Sequence, residues 1–368
     1  MSIIKKILKI ISILLSVIII LTLLIFAGLF INHCIRLSGN KKFLEEKGYY
    51  HLVSAGDHNL NLITYGGAEE KHRIIALGGN GAGFPVELQK LADELSEDGA
   101  VYYLARPGYD GSDDVKEDMT VDFVVEDYRS ALRNAGIEAP YVLMPHSYAS
   151  ILATYWESRY PDEIEAMIDL DGVVARTFTD EEMEKMQEED NEAAMRSLRV
   201  VMNTGIGDAA IRVFNPEKPE YSEDEQRISD AMTLMTMGSR AFSSEIRCVT
   251  DNILTTWEMM QPNDVPKLYI NAENGYHTLE ELKAADVLSE YRINELTPDF
   301  EGSPEERRKK AYEMEWELTQ EYKKEKIQPF VEKLGNCQIA DLPGSHFIHW
   351  EKPEECGEII RDFLNNLN

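Results

Sequence analysis

The chain has 368 residues, 43% of them hydrophobic and 28% charged, which is enough for a large buried core and is not the composition of a disordered protein. Its formal net charge of −29 repels phosphate backbones and excludes nucleic acid as a natural partner. The four cysteines, Cys34, Cys248, Cys337 and Cys356, have neither metal-ligand nor redox spacing.

Read in chain order, a short basic segment (1–9) precedes an almost wholly apolar run (10–31) broken only by Ser and Thr. About 22 residues suffice to span roughly 30 Å of hydrocarbon as a helix. A cleaved signal peptide would have a shorter apolar stretch and a small-residue cleavage site, so an uncleaved anchor is the expectation. Lysines lie on both sides of the run. The basic start favours the N-terminus inside and the remaining chain outside the cytoplasm. Residues 32–48 read as a linker or short juxtamembrane helix.

Two strands, 49–54 and 60–65, flank a GDHN turn and suggest a hairpin. Strand–helix alternation follows: strands at 73–77, 100–105, 141–144 and 165–170, helices at 85–96, 121–135 and 148–160. Such alternation implies an α/β protein with a mostly parallel sheet flanked by helices. It breaks at Gly172. Residues 172–262 are helix-rich, acidic and Met-rich, and the strand pattern resumes at 267–272. A second helical stretch (279–334), a strand (337–342) and a closing helix (354–367) complete the chain. Met232, Met235 and Met237, with Trp257, Met259 and Met260, fit either a lid over an apolar pocket or ordinary core filling. The acidic run 179–192 reads as a solvated helix face, since it lacks the glycine and ligand order of a calcium loop.

Three segments carry chemistry. In YVLMPHSYASILATYW, Ser147 stands where a strand hands over to a helix, so its hydroxyl can project from a tight turn at the helix N-terminus. IIALGGNGAGFP is a glycine-rich loop after a strand, able to turn backbone N–H groups toward a ligand. It lacks the ending and spacing of nucleotide-binding loops. DLPGSHFIHWEKPEE places His346, and as a competitor His349, between the last strand and the closing helix. A histidine titrates near neutral pH and is the natural base for a serine.

These segments resemble the α/β-hydrolase superfamily. Pro145-His146-Ser147-Tyr148-Ala149 resembles its G-x-S-x-G nucleophile elbow, with both glycines replaced. Gly78-Gly79-Asn80-Gly81 resembles its H-G-x-G oxyanion loop, with Gly78 in place of the histidine. Arg106 to Ser112 resembles the loop R-G-x-G-x-S and reads as structural or pocket-lining. The resemblance covers about 49–171 and 263–368 and implies an α/β-hydrolase fold with a helical cap and an N-terminal transmembrane helix. The implied organisation is 1–9, anchor 10–31, linker 32–48, core 49–171, cap 172–262 and core 263–368. By resemblance, Ser147 is the nucleophile, His346 its base, and the amides of Asn80 and Tyr148 the oxyanion donors. The orienting acid is expected to be Asp171, ending the strand after the elbow strand, with Glu273 as the alternative. Asp169 lies a strand period deeper. No metal or organic cofactor is expected. The implied activity is serine hydrolysis of a carboxylic ester, on a small-molecule or lipid-like substrate, by a single-pass membrane protein. An aminopeptidase, amidase or acyltransferase of the same fold, or a non-catalytic binding protein on this scaffold, are the alternatives. The sequence sets no oligomeric state.

Overall fold

A computed structural model describes residues 3–67, 71–180, 182–183 and 192–367. Most of the acidic run 179–192 therefore lies outside the described residues. The strands are β1 (Leu52–Ser54), β2 (Asn59–Gly67), β3 (His72–Leu77), β4 (Gly99–Leu104), β5 (Tyr141–Pro145), β6 (Ile164–Leu170), β7 (Lys267–Asn271) and β8 (Cys337–Asp341). They form one eight-stranded sheet in the order β1-β2-β4-β3-β5-β6-β7-β8. The β1–β2 and β2–β4 pairs are antiparallel, and every later pair is parallel.

Both faces of the sheet are buried, and the period-2 geometry of a strand sorts its side chains between them. Ile75, Leu77, Tyr102, Leu104 and Leu143 join one apolar cluster, with α3 (Val121–Ala135) and α4 (Ala149–Arg159) packed over it through Val124, Tyr128, Ile151 and Trp156. Ile74, Ala76, Val101, Tyr103 and Val142 join the other, covered by α2 (Phe84–Glu94) and the closing helix Pro353–Asn365 through Leu88, Leu91, Ile360 and Phe363. Helix α3 has clear end signals. Thr120 caps its first turn by accepting from the Phe123 amide, and Gly136 ends it at φ 74°.

The segment 32–48, read as a linker or a short juxtamembrane helix, is helical as far as Glu46. A single helix, α1, runs unbroken from Ile3 to Glu46. Gly39 costs a helix interior only about 1 kcal/mol, and tertiary packing outweighs it: Phe43 and Leu44 are buried in the second cluster. The apolar part of α1 stands clear of the domain with its Ile, Leu and Phe side chains exposed, and it is the one described helix long and apolar enough to cross a membrane.

Among the described residues, four helices, Glu192–Met202, Ile206–Phe214, Glu223–Met237 and Arg240–Met259, belong to the insertion after β6. Met232 and Met260 are fully buried and fill the core, Met235, Met237 and Trp257 are half-buried, and Met259 is exposed. The insertion is tied to the carboxyl ends of the strands by polar contacts. Asn252 accepts from the Val121 amide at 2.8 Å and donates to the Tyr148 hydroxyl at 2.7 Å. Arg106, after β4, donates to Glu245 at 2.8 Å, and the Tyr109 hydroxyl bonds the same carboxylate. Both Arg106 and Glu245 are shielded from solvent. A second insertion between β7 and β8 carries its own apolar cluster, including Leu282, Ile293, Leu296 and Tyr312.

Removing one partner of a buried ion pair strands the other charge in a low-dielectric interior. Glu245→Ala is therefore expected to lower the unfolding free energy by about 3–5 kcal/mol, and Glu245→Gln by less because a polar acceptor remains. Urea unfolding of the detergent-solubilised chain measures both.

Candidate active site

The site is built beyond the carboxyl ends of five adjacent parallel strands, β3, β5, β6, β7 and β8. Pairing of β5 with β6 stops at Leu143–Met167 and resumes as a single bridge between His146 and Leu170. The gap contains Pro145, which has no N–H to offer β6. On the other side the His146 amide still donates to Leu77 of β3 at 2.9 Å. Proline is thus tolerated at the last residue of the strand. Ser147 follows with φ 55°, a left-handed conformation that costs a non-glycine residue of order 1–3 kcal/mol. Three contacts hold it there. Its amide donates to Leu170 at 3.4 Å, its carbonyl accepts from Val173 at 3.0 Å, and Ser150 bonds the same carbonyl at 3.0 Å to begin α4. The glycine loop closes in from β3. A Cβ on Gly79 would sit 2.6 Å from the Ser147 Cβ, so only glycine fits. Ser147 is half-buried, and among the described residues its hydroxyl makes no hydrogen bond.

Asp171, just beyond β6, also has a left-handed backbone, with φ 50°. Its Oδ1 accepts from the Ala272 amide at 2.7 Å and the Glu273 amide at 3.3 Å. These bonds aim Oδ2 at His346, whose Nδ1 lies 2.9 Å away. Glu273 stands 3.9 Å from the same nitrogen with its side chain 60% exposed, against 5% for Asp171. Of the two candidate carboxylates, Asp171 makes the hydrogen bond and Glu273 flanks it. Asp169 bonds the Ser150 hydroxyl at 2.7 Å and is pushed up to about 8 by burial, so it stays protonated at neutral pH.

With Nδ1 bonded to Asp171, the other ring nitrogen of His346 is the basic one. Burial disfavours the imidazolium, but the hydrogen bond and charge of Asp171, with Glu273 adding, outweigh it and raise His346 above the ordinary imidazole range. His146 braces the loop from below. Its Nε2 bonds the His346 carbonyl at 2.8 Å, and the two rings lie 4.6 Å apart. Burial lowers His146 to about 3. His349, the competing histidine, is fully buried against Phe84 and His146, and burial drives it well below the usual range. It is a neutral packing residue.

The Arg106 loop has a role the sequence did not reveal. The guanidinium donates to the Gly78 carbonyl at 2.6 Å and the Gly79 carbonyl at 2.9 Å. The Gly79 carbonyl and the Asn80 N–H belong to one trans peptide and point in opposite directions, so the clamp turns the Asn80 N–H away from the arginine. Among the described residues, neither the Asn80 nor the Tyr148 amide donates a hydrogen bond. The only sequence signal was Arg106 itself, because its partner Glu245 lies far along the chain.

A cleft of about 590 Å³ opens beside the Asp171–His346 pair, walled by Tyr269, Glu273 and residues of the second insertion. Ser147, Asn80 and Tyr148 are not on its wall. Tyr322, Glu325 and Lys326 are, and the last two belong to a π-helical turn, Lys323–Ile327, an element common at functional sites. The second insertion therefore shapes the cleft, although the sequence placed it only as a helical stretch of the core.

No known family profile matches the chain. A curated relative, the uncharacterized protein YbdG of Bacillus subtilis (strain 168), is 23% identical over 367 residues and aligns over 98% of both chains. Among solved structures, Cfl2 of Burkholderia cenocepacia has a TM-score of 0.57 at 16% identity, over 86% of this chain and 95% of its own. A membrane phospholipase A described as a bacterial virulence factor has a TM-score of 0.55 at 15% identity, over 99% of both chains. The ancestral haloalkane dehalogenase AncHLD2 has 0.54 at 14%, over 86% and 99%. The chain has the α/β-hydrolase fold.

A base works only when neutral, so a raised imidazole pKa moves the acidic limb of a pH–rate profile upward. For any reaction that uses His346 as base, kcat/KM is expected to rise along an acidic limb centred above that of a free imidazole, about 6.5. Asp171→Asn should lower that limb and reduce kcat by about 10⁴-fold. Glu273→Gln should lower the limb slightly and keep kcat near wild type. Rate profiles of the three proteins check the assignment.

Proposed function

We propose that this protein is a membrane-anchored serine hydrolase that cleaves carboxylic esters through an acyl-enzyme. The observation that carries the reading is the Asp171–His346 hydrogen bond beside a serine held in left-handed conformation at a strand–helix turn. His346 takes the Ser147 proton as the oxygen attacks the ester carbonyl. The Asn80 and Tyr148 amides receive the negative charge on the carbonyl oxygen, each contributing about 3–4 kcal/mol. His346 returns the proton to the departing alcohol, then removes one from the water that attacks the acyl-enzyme and gives it to the Ser147 oxygen as the acid leaves. A small closure brings the serine hydroxyl onto the imidazole, since such bonds are often long before substrate binds. Serine at position 147 rules against the chemistry of the dehalogenase neighbours, which requires a carboxylate nucleophile. The exposed apolar stretch of α1 supports an anchor, and the lysines before it favour the catalytic domain outside the cytoplasm. The full-length alignment with a membrane phospholipase A supports lipid-like esters as substrates.

One observation favours a second reading, an aminopeptidase of the same mechanism. Asp171, Glu273, Glu315, Glu321 and Glu325 face the cleft against Arg292 and Lys326, and Arg292 is paired with Glu315. This acidic wall suits a substrate that carries a free amino group.

Assay of the purified chain on a series of p-nitrophenyl esters and aminoacyl-anilides separates the readings. The proposal expects ester turnover that Ser147→Ala and His346→Ala abolish. Anilide turnover without ester turnover supports the peptidase. Turnover of neither overturns both in favour of a binding protein.

A further inference from the structure

We infer that the cap helix Ile206–Phe214 is a second membrane contact, lying in the bilayer interface against the end of the N-terminal anchor. The inference rests on the anchor reading above and extends it to a surface of the cap. Leu29 lies two residues before the end of the apolar run at Ile31, about 3 Å along a helix. A Cβ on Gly205 would sit 2.4 Å from the Leu29 carbonyl oxygen, and Gly205 has φ 82°. Only glycine permits this approach, and it sets the start of the cap helix against the last turn of the span. The depth is fixed by a buried contact one turn further on. His33 Nδ1 lies 3.2 Å from Asp208 Oδ2, and Arg36 reaches the same carboxylate at 3.7 Å.

The helix turns Gly207 and Asp208 inward. Ile206, Ala209 and Val213, at spacings of three and four, face outward. Ile206 is 38% and Val213 78% exposed, and Val200 on the preceding helix extends the patch at 59%. This apolar face is continuous with the bare anchor at the level where hydrocarbon gives way to headgroups. The occupant is therefore a lipid surface, taken up by burial of apolar side chains as in interfacial helices. Charge does not drive the contact, because a chain of net charge −29 gains nothing from anionic headgroups. The insertion that carries Glu245 is thus held to the bilayer at two points, the anchor and this helix.

The test uses the full-length protein in phosphatidylcholine vesicles containing a diazirine-bearing phosphatidylcholine, with photo-adducts mapped by peptide mass spectrometry. Adducts are expected on residues 10–31 and on the peptide spanning 206–214. The double variant Ile206→Glu/Val213→Glu should lose the second set, keep the first and retain the wild-type thermal transition, because both side chains are exposed. Adducts confined to 10–31 overturn the inference while leaving the anchor intact. Lipid adducts at neither site overturn the anchor reading and this inference together.

Discussion

The left-handed turn at Ser147 is the constraint on which the rest of the site depends. An extended or helical backbone at that residue would bury the hydroxyl among the strand ends or turn it along α4. The turn persists because its neighbours leave no other place for it. Gly79 lies against its Cβ, Leu170 and Val173 hold its amide and carbonyl, and Ser150 starts a helix from it. Asp171 repeats the device one strand away, where its left-handed backbone and two accepted amide bonds point the carboxylate at His346. Neighbouring strands lie about 4.8 Å apart, so Ser147 and Asp171, at the ends of β5 and β6, stand side by side, and Asp171 reaches His346 without a long side chain.

Arg106 links this chemistry to the insertion above it. Its guanidinium holds the glycine loop through two carbonyls and Glu245 of the cap through a carboxylate. A buried arginine is costly unless every N–H finds an acceptor. The cap and the glycine loop therefore stabilise the same charge, and a displacement of helix Arg240–Met259 would loosen the loop that faces Ser147. The cluster of neutral histidines beside it, His146 and His349, adds bulk without adding charge next to the His346 imidazole.

The fold was legible because the sheet obeys simple periodicity. The helix at Val121–Ala135 was readable to the residue from Thr120, Gly136 and its apolar spacing, and the other core elements to within a few residues. Ser147 and His346 stood out because their strand–helix junctions, and the glycine loop at Gly78–Gly81, are local. The features that were not legible depend on distant partners. Residues 32–48 stayed open between a linker and a short helix because nothing local shows that Phe43 and Leu44 dock into the sheet's second face. The choice between Asp171 and Glu273 needed the Ala272 and Glu273 amides, which only the β6–β7 register brings to the carboxylate. The clamp by Arg106 needed Glu245, 139 positions away. The methionines gave no direction, since core and lid use them alike.

The central claim is that a hydroxyl at 147 and an imidazole at 346 act on one carbonyl. Exposure of the chain to a fluorophosphonate, followed by tandem mass spectrometry of the adducted peptide, tests it most directly, because such reagents report the activated serine whatever the natural substrate is. The account predicts a single adduct on Ser147 that disappears in His346→Ala and slows sharply in Asp171→Asn. An adduct on another residue, or one on Ser147 that forms equally fast without His346, would contradict it.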